Sequence, residues 1–151
     1  HLGRPKGKIV NELTLKPIAK KLTNYLNQDV IFLDKNIGLD VIKKSKEIPK
    51  GIVFLLENLR FCKEEESNSE VFAKELSKIG DIYINEAFSC SHRAHASVSE
   101  ITKHIDSYAG KMLCEEVNII KMLTSSAKKP ISCIIGGSKI STKIGVLTNL
   151  I

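Results

Sequence analysis

Ile52-Val53-Phe54-Leu55-Leu56-Glu57-Asn58-Leu59-Arg60-Phe61 is the stretch that decides the fold. Five apolar residues in succession follow Pro49-Lys50-Gly51, a breaker that ends whatever precedes them. A continuous run this short reads as a strand buried on both faces, the habit of parallel sheets. Glu57 to Phe61 then forms a polar loop at the carboxyl end of that strand, where open α/β sheets bind their ligands.

The same grammar extends in both directions. Upstream, Leu15, Ile18, Ala19, Leu22 and Leu26 recur at helical spacing, with Thr14 as the expected cap and Pro17 tolerable in the first turn. Val30 to Leu33 is a short apolar run, and Asn36-Ile37-Gly38 turns the chain into a lysine-bearing helix reaching about Lys46. Downstream, Asn68 or Ser69 caps a helix carrying Val71, Phe72, Leu76 and Ile79, closed by Gly80. Asp81 to Ile84 gives a third strand, and a long helical stretch from about Gly110 to Leu123 precedes a fourth at Ile131 to Ile135. Lys63-Glu64-Glu65-Glu66 reads most simply as a solvated loop. Strands alternating with amphipathic helices predict an α/β fold, a parallel sheet with helices on both faces. No internal repeat or low-complexity tract interrupts the pattern.

Charge narrows the partners. The net charge is +6 over 151 residues, with 42% hydrophobic and 26% charged residues. No apolar run approaches the ~20 residues of a membrane span, so no membrane partner is expected. The opening His1-Leu2-Gly3-Arg4 has no signal-peptide character, and the chain reads as cut from something longer. Cys62, Cys90, Cys114 and Cys133 are widely spaced without a CxxC pair, which fits reduced thiols in cytoplasm. Of 23 basic residues only three are arginines, Arg4, Arg60 and Arg93, and each lies in a loop. Only guanidinium grips phosphate or carboxylate through two parallel hydrogen bonds, which suggests an anionic ligand. An isolated surface arginine is as readily a solvated charge. Nucleic acid is the rival reading of the positive charge; 5% aromatic residues without tryptophan offer few stacking platforms against it.

Four segments carry the chemistry. In His1 to Gly7 (HLGRPKG), Gly3 and Pro5 bracket Arg4 and restrict its loop. Leu55 to Phe61 (LLENLRF) holds Arg60, and Asn85 to Ser97 (NEAFSCSHRAHAS) packs His92, Arg93 and His95 into one turn of chain. Cys90, His92 and His95 evoke zinc, but a fourth ligand at sensible spacing is lacking and anion capture fits better. In Gly136 to Gly145 (GGSKISTKIG), Gly136 and Gly137 follow a strand and open a helix, with Lys139 and Lys143 one turn apart. This is neither a Walker loop nor a dinucleotide fingerprint, which argues against a nicotinamide dehydrogenase; a plain Gly-Gly turn before a solvated helix remains open.

Together, in this order and spacing, the four segments resemble phosphoglycerate kinase over the entire chain. The resemblance implies a two-domain α/β monomer, here truncated at both ends. Residues 1–109 would form the phosphoglycerate-binding domain without its first strand, 110–127 a connector helix, and 128–151 the start of the nucleotide-binding domain. It implies phosphoryl transfer between 1,3-bisphosphoglycerate and magnesium ADP, giving 3-phosphoglycerate and ATP, with hinge closure about the connector. His1, Leu2, Gly3, Arg4, Arg60, His92 and Arg93 would bind phosphoglycerate. Gly136, Gly137, Lys139 and Lys143 would hold nucleotide phosphate, with Lys139, Arg60 and Arg93 catalytic. No metal ligand is expected in this chain, and no nucleic-acid partner. Glu86 stands where the family often has Asp, Ser89-Cys90-Ser91 where Gly-Thr-Ala is common, and Ser138 and Thr142 where Ala and Asp are frequent. Missing ligands before His1 and a missing nucleotide pocket imply that this chain alone is inactive.

Overall fold

The computed structural model describes residues 1–125 together with Pro130, Ser132, Ile134, Gly136, Ile144, Gly145 and Thr148. The fold is α/β. Helix α1 (Lys16–Leu26) leads to strand β1 (Val30–Leu33), and α2 (Leu39–Glu47) crosses to β2 (Val53–Leu56). A short helix α3 (Lys63–Glu66) and then α4 (Glu70–Ser77) lead to β3 (Ile82–Asn85). Strand β4 (Asp106–Ala109) and helix α5 (Lys111–Ser125) close the described chain.

Pairing is parallel, as continuous apolar strands joined by helices require. β1 pairs with β2 in the register Val30 to Val53, and β3 pairs with β4 in the register Ile82 to Asp106. The described strands thus form two parallel pairs. Between β2 and β3 lies an apolar cleft of about 400 Å³, walled by Phe54, Leu56, Leu76, Tyr83, Ile101 and Ile105. The core sits beside it, where Phe72, Ala73 and Leu76 of α4 pack on Ala96 and Ile101.

Most local signals operate as the residues predict. Ser69 caps α4 by accepting from the Phe72 N–H at 3.4 Å, and Pro17 occupies the first turn of α1. Two expectations need correction, and one strand was not foreseen. Leu15, not Thr14, holds the cap position of α1, its N–H donating to the Glu57 carboxylate at 2.8 Å, while the Thr14 hydroxyl one residue earlier still accepts from the Lys16 N–H at 3.3 Å. Lys63 to Glu66 is no solvated loop: it is helical, and Glu65 is only 2% exposed. Strand β4 went unpredicted because Asp106-Ser107-Tyr108-Ala109 is half polar and largely exposed, so it lacks the apolar run that marks the other strands. The expected strand 131–135 and the helix opening at Gly136 fall mostly outside the described residues.

Candidate functional site: an anion-binding loop cluster

The cluster is assembled around Asn58, a side chain that is wholly buried. Its amide donates to the carbonyls of Leu2 at 2.8 Å and Leu13 at 2.9 Å. Its Oδ1 accepts from the N–H groups of Arg60 at 3.2 Å and Leu2 at 3.4 Å. A primary amide is the one small side chain that supplies donors and acceptor to such a junction at once. Glu57 beside it accepts from the Thr14 hydroxyl at 2.5 Å and the Asn58 N–H at 2.7 Å, so the start of α1 is tied to the same strand end.

Arg60 binds the first segment to the second. Its Nη1 donates to the Gly3 carbonyl at 2.8 Å, while its own carbonyl accepts from the Gly7 N–H at 3.1 Å. Nε lies 3.5 Å from a Glu66 carboxylate oxygen without forming a hydrogen bond. The residue is 5% exposed. The arginine is thus held in one conformation, with Nη2 left unengaged among the described residues. The segment it grips is tightly wound: Gly3, Lys6 and Gly7 have φ of 64°, 56° and 69°, and a Cβ on Gly3 would come within 2.6 Å of the Leu13 side chain. Arg4 rides exposed on this loop and makes no ion pair or hydrogen bond among the described residues.

The third segment is anchored at both ends. Asn85 Oδ1 accepts from the Ala87 N–H at 2.9 Å, and the Arg93 N–H donates to the Cys90 carbonyl at 3.0 Å, winding residues 87–93 into a compact turn. At the far end Glu65 accepts from the Ser97 hydroxyl at 2.6 Å and the Ser97 N–H at 3.0 Å, with His95 Nδ1 at 3.6 Å. His95, read from sequence as part of the basic cluster, is buried at 7% exposure and faces Glu65, so it supports the loop instead of meeting a ligand. His92 is exposed and Arg93 half-buried, neither engaged by an acidic side chain among the described residues. His1 Nε2 lies 3.8 Å from Cys90 Sγ, which brings the first segment against the third.

The described residues therefore join His1 to Gly7, Asn58 to Phe61 and Asn85 to Ser97 at the carboxyl ends of β2 and β3. Of the candidate residues beyond them, Gly136 is exposed with open space where a Cβ would project, whereas Gly137, Lys139 and Lys143 lie outside the described residues. Among the described residues no group of three His, Cys, Asp or Glu could hold a metal ion, and no helix is long and apolar enough to cross a membrane. Sequence reasoning passed over Asn58, Glu57 and Glu65, which carry the cluster. Asn58 and Glu57 stood inside a segment chosen for its arginine; for Glu65 nothing in three consecutive glutamates singles out the middle one.

Guanidinium and imidazole groups gathered on loops at the carboxyl ends of parallel strands make this an α/β domain with a basic loop cluster where such sheets carry their ligands. The chain belongs to the phosphoglycerate kinase family: the family model described as phosphoglycerate kinase matches residues 1–151. A phosphoglycerate kinase of Bartonella bacilliformis is 46% identical over 151 residues, all of this chain and 38% of the relative. One from the Wolbachia of Brugia malayi is 51% identical over 150 residues, 99% of this chain and 37% of the relative. The solved phosphoglycerate kinase of Coxiella burnetii superposes with a TM-score of 0.82 at 35% identity, covering 99% of this chain and 37% of that one. The chain thus spans under two fifths of the length of these relatives.

Proposed function

We propose that the polypeptide carrying this chain is a phosphoglycerate kinase of glycolysis, moving a phosphoryl group reversibly between 1,3-bisphosphoglycerate and ADP to give 3-phosphoglycerate and ATP. The observation that carries the reading is the joining of the Arg4 loop to Arg60 through the Gly3 carbonyl, with the Arg93 loop brought alongside by His1 and Cys90. Arg4, Arg60, Arg93, His1 and His92, with Leu2 and Gly3, take the phosphate and carboxylate of the three-carbon acid. A small acid with an anionic group at each end suits several short cationic arms on separate rigid loops better than one extended basic face does.

Phosphoryl transfer asks the protein chiefly for position and for positive charge where negative charge spreads. Asn58 and Glu65 fix the arms in place before the ligand arrives, which removes ordering cost from the binding step. Gly136, Gly137, Lys139 and Lys143 hold the nucleotide phosphates, and Lys139 steadies the group in transit. Magnesium enters with ATP or ADP as part of the substrate. Residues 1–109 and 128–151 belong to separate domains joined at 110–127, and closure about α5 excludes water. The whole protein is a cytoplasmic monomer, and this chain alone is inactive.

The test is a coupled assay of the full-length polypeptide with 3-phosphoglycerate and magnesium ATP, beside Lys139→Ala and Arg60→Ala. Robust turnover that collapses in both variants is expected. A well-folded full-length protein without turnover would leave a binding protein on the same scaffold.

A further inference from the structure

Glu86 leaves the end of β3 and reaches α5 from outside that helix. Its Oε1 accepts from the Met112 N–H at 2.7 Å, one of the donors that a helix start leaves without an internal partner. The negative carboxylate also meets the positive end of the helix dipole. Next to it the Gly110 N–H donates to the Asn85 carbonyl at 2.8 Å, prolonging the β3 to β4 ladder by one rung. Gly110 is buried, and a Cβ there would overlap the Glu86 carboxylate. The absent side chain at 110 and the carboxylate at 86 are therefore complementary shapes, and the ladder and the cap are two independent fastenings at one point.

The residues immediately after Glu86 are the anion loop. The turn Phe88–Cys90 packs against α5, and Cys90 accepts from the Arg93 N–H, so one short piece of chain has α5 at one end and a guanidinium at the other. We propose that Glu86 is a positioning residue that couples the orientation of α5 to the setting of Ser91, His92 and Arg93. It touches no substrate; it makes a change in the direction of α5 felt at the loop. The proposal rests on the reading of the preceding section, in which α5 is where the two domains articulate.

The experiment uses the full-length polypeptide with Glu86→Ala, Glu86→Gln, Gly110→Ala and the Glu86→Ala/Gly110→Ala double variant. Three quantities are read: kcat, the dissociation constant of 3-phosphoglycerate alone, and amide exchange at Met112 and at 91–93. A small misplacement of a positioned group costs rate more than ground-state binding, so Glu86→Ala and Gly110→Ala should each lower kcat about tenfold and weaken 3-phosphoglycerate binding by a clearly smaller factor. The double variant should lose no more than the worse single, and Glu86→Gln, which keeps the acceptor oxygen, should retain most of the rate. Exchange at Met112 and at 91–93 should quicken together in Glu86→Ala. Affinity falling in step with kcat, losses that multiply, or exchange rising at Met112 alone would each overturn the coupling. If the wild type shows no turnover, the kinase reading fails, while the paired exchange of Met112 and 91–93 still decides the coupling.

Discussion

Arg60 Nη1 donates to the Gly3 carbonyl at 2.8 Å, across 57 positions of chain, and with the Asn58–Leu2 bonds and the Gly7 N–H on the Arg60 carbonyl it fixes the loop that carries Arg4. Removing the guanidinium takes the donor from the Gly3 carbonyl at a partly buried junction and the neighbouring cation from an exposed Glu66 carboxylate. Losing a hydrogen bond made by a charged donor costs about 1.5–3 kcal/mol. Arg60→Ala should lower stability by that order in urea unfolding of the full-length polypeptide. Arg60→Lys should recover little of it, because a point charge cannot serve the Gly3 carbonyl and a ligand at once.

Asn58 makes the second prediction. Asn58→Ala removes the donor of the Leu2 and Leu13 carbonyls at a partly buried junction, at about 1–3 kcal/mol in total. Asn58→Asp should be worse, since it sets a carboxylate against two carbonyl oxygens. Equilibrium unfolding ranks the two, and retention of wild-type stability in Asn58→Asp would contradict the hub role.

The strands illustrate what was legible in the sequence. Val30 to Leu33 and Ile52 to Leu56 are apolar enough to announce themselves, and the loops after β2 and β3 follow from strand direction alone. The arginines and histidines were visible as residue types in the wrong context for a core. The supports were not: Glu65 meets Ser97 across 32 positions and Asn58 meets Leu2 across 56, so their roles exist only once the chain has folded. His95 shows the same limit from the other side, since a basic residue in a basic motif turned inward to a carboxylate that its neighbours in sequence do not reveal.

Cys62 supplies a pH-dependent prediction. Burial pushes its thiol above the ordinary value of 9.0, Glu64 and Glu65 add to this, and the Asn36 amide opposes it. A group whose folded pKa is raised contributes stability that is complete below its unfolded value and lost as pH rises through the folded one. The denaturation midpoint should therefore fall as pH climbs past about 9, and less so in Cys62→Ala. At pH 8, alkylation of Cys62 followed by mass spectrometry should be slower than that of Cys90 or Cys114, because burial both shields the thiol and disfavours the reactive thiolate. Equal rates at all three would contradict the burial argument.

The cleft between β2 and β3 predicts how this chain behaves by itself. Parallel two-stranded sheets with an apolar gap of about 400 Å³ between them leave Phe54, Leu56 and Tyr83 without strand neighbours on one side among the described residues. Residues 1–151 expressed alone should bind a hydrophobic dye and melt without a cooperative transition. A single sharp transition with a calorimetric enthalpy typical of its length would contradict this.

The most direct test of the loop cluster as one anion site is calorimetric titration of 3-phosphoglycerate into the full-length polypeptide and into Arg4→Met and Arg93→Met. Neither side chain is engaged by an acidic partner among the described residues, so both variants should keep the fold. Each should weaken binding by about tenfold or more, the loss of a charge-assisted contact, and wild-type affinity should fall with added salt. Unchanged affinity in both variants would show that the first segment and the loop after β3 do not form a common site.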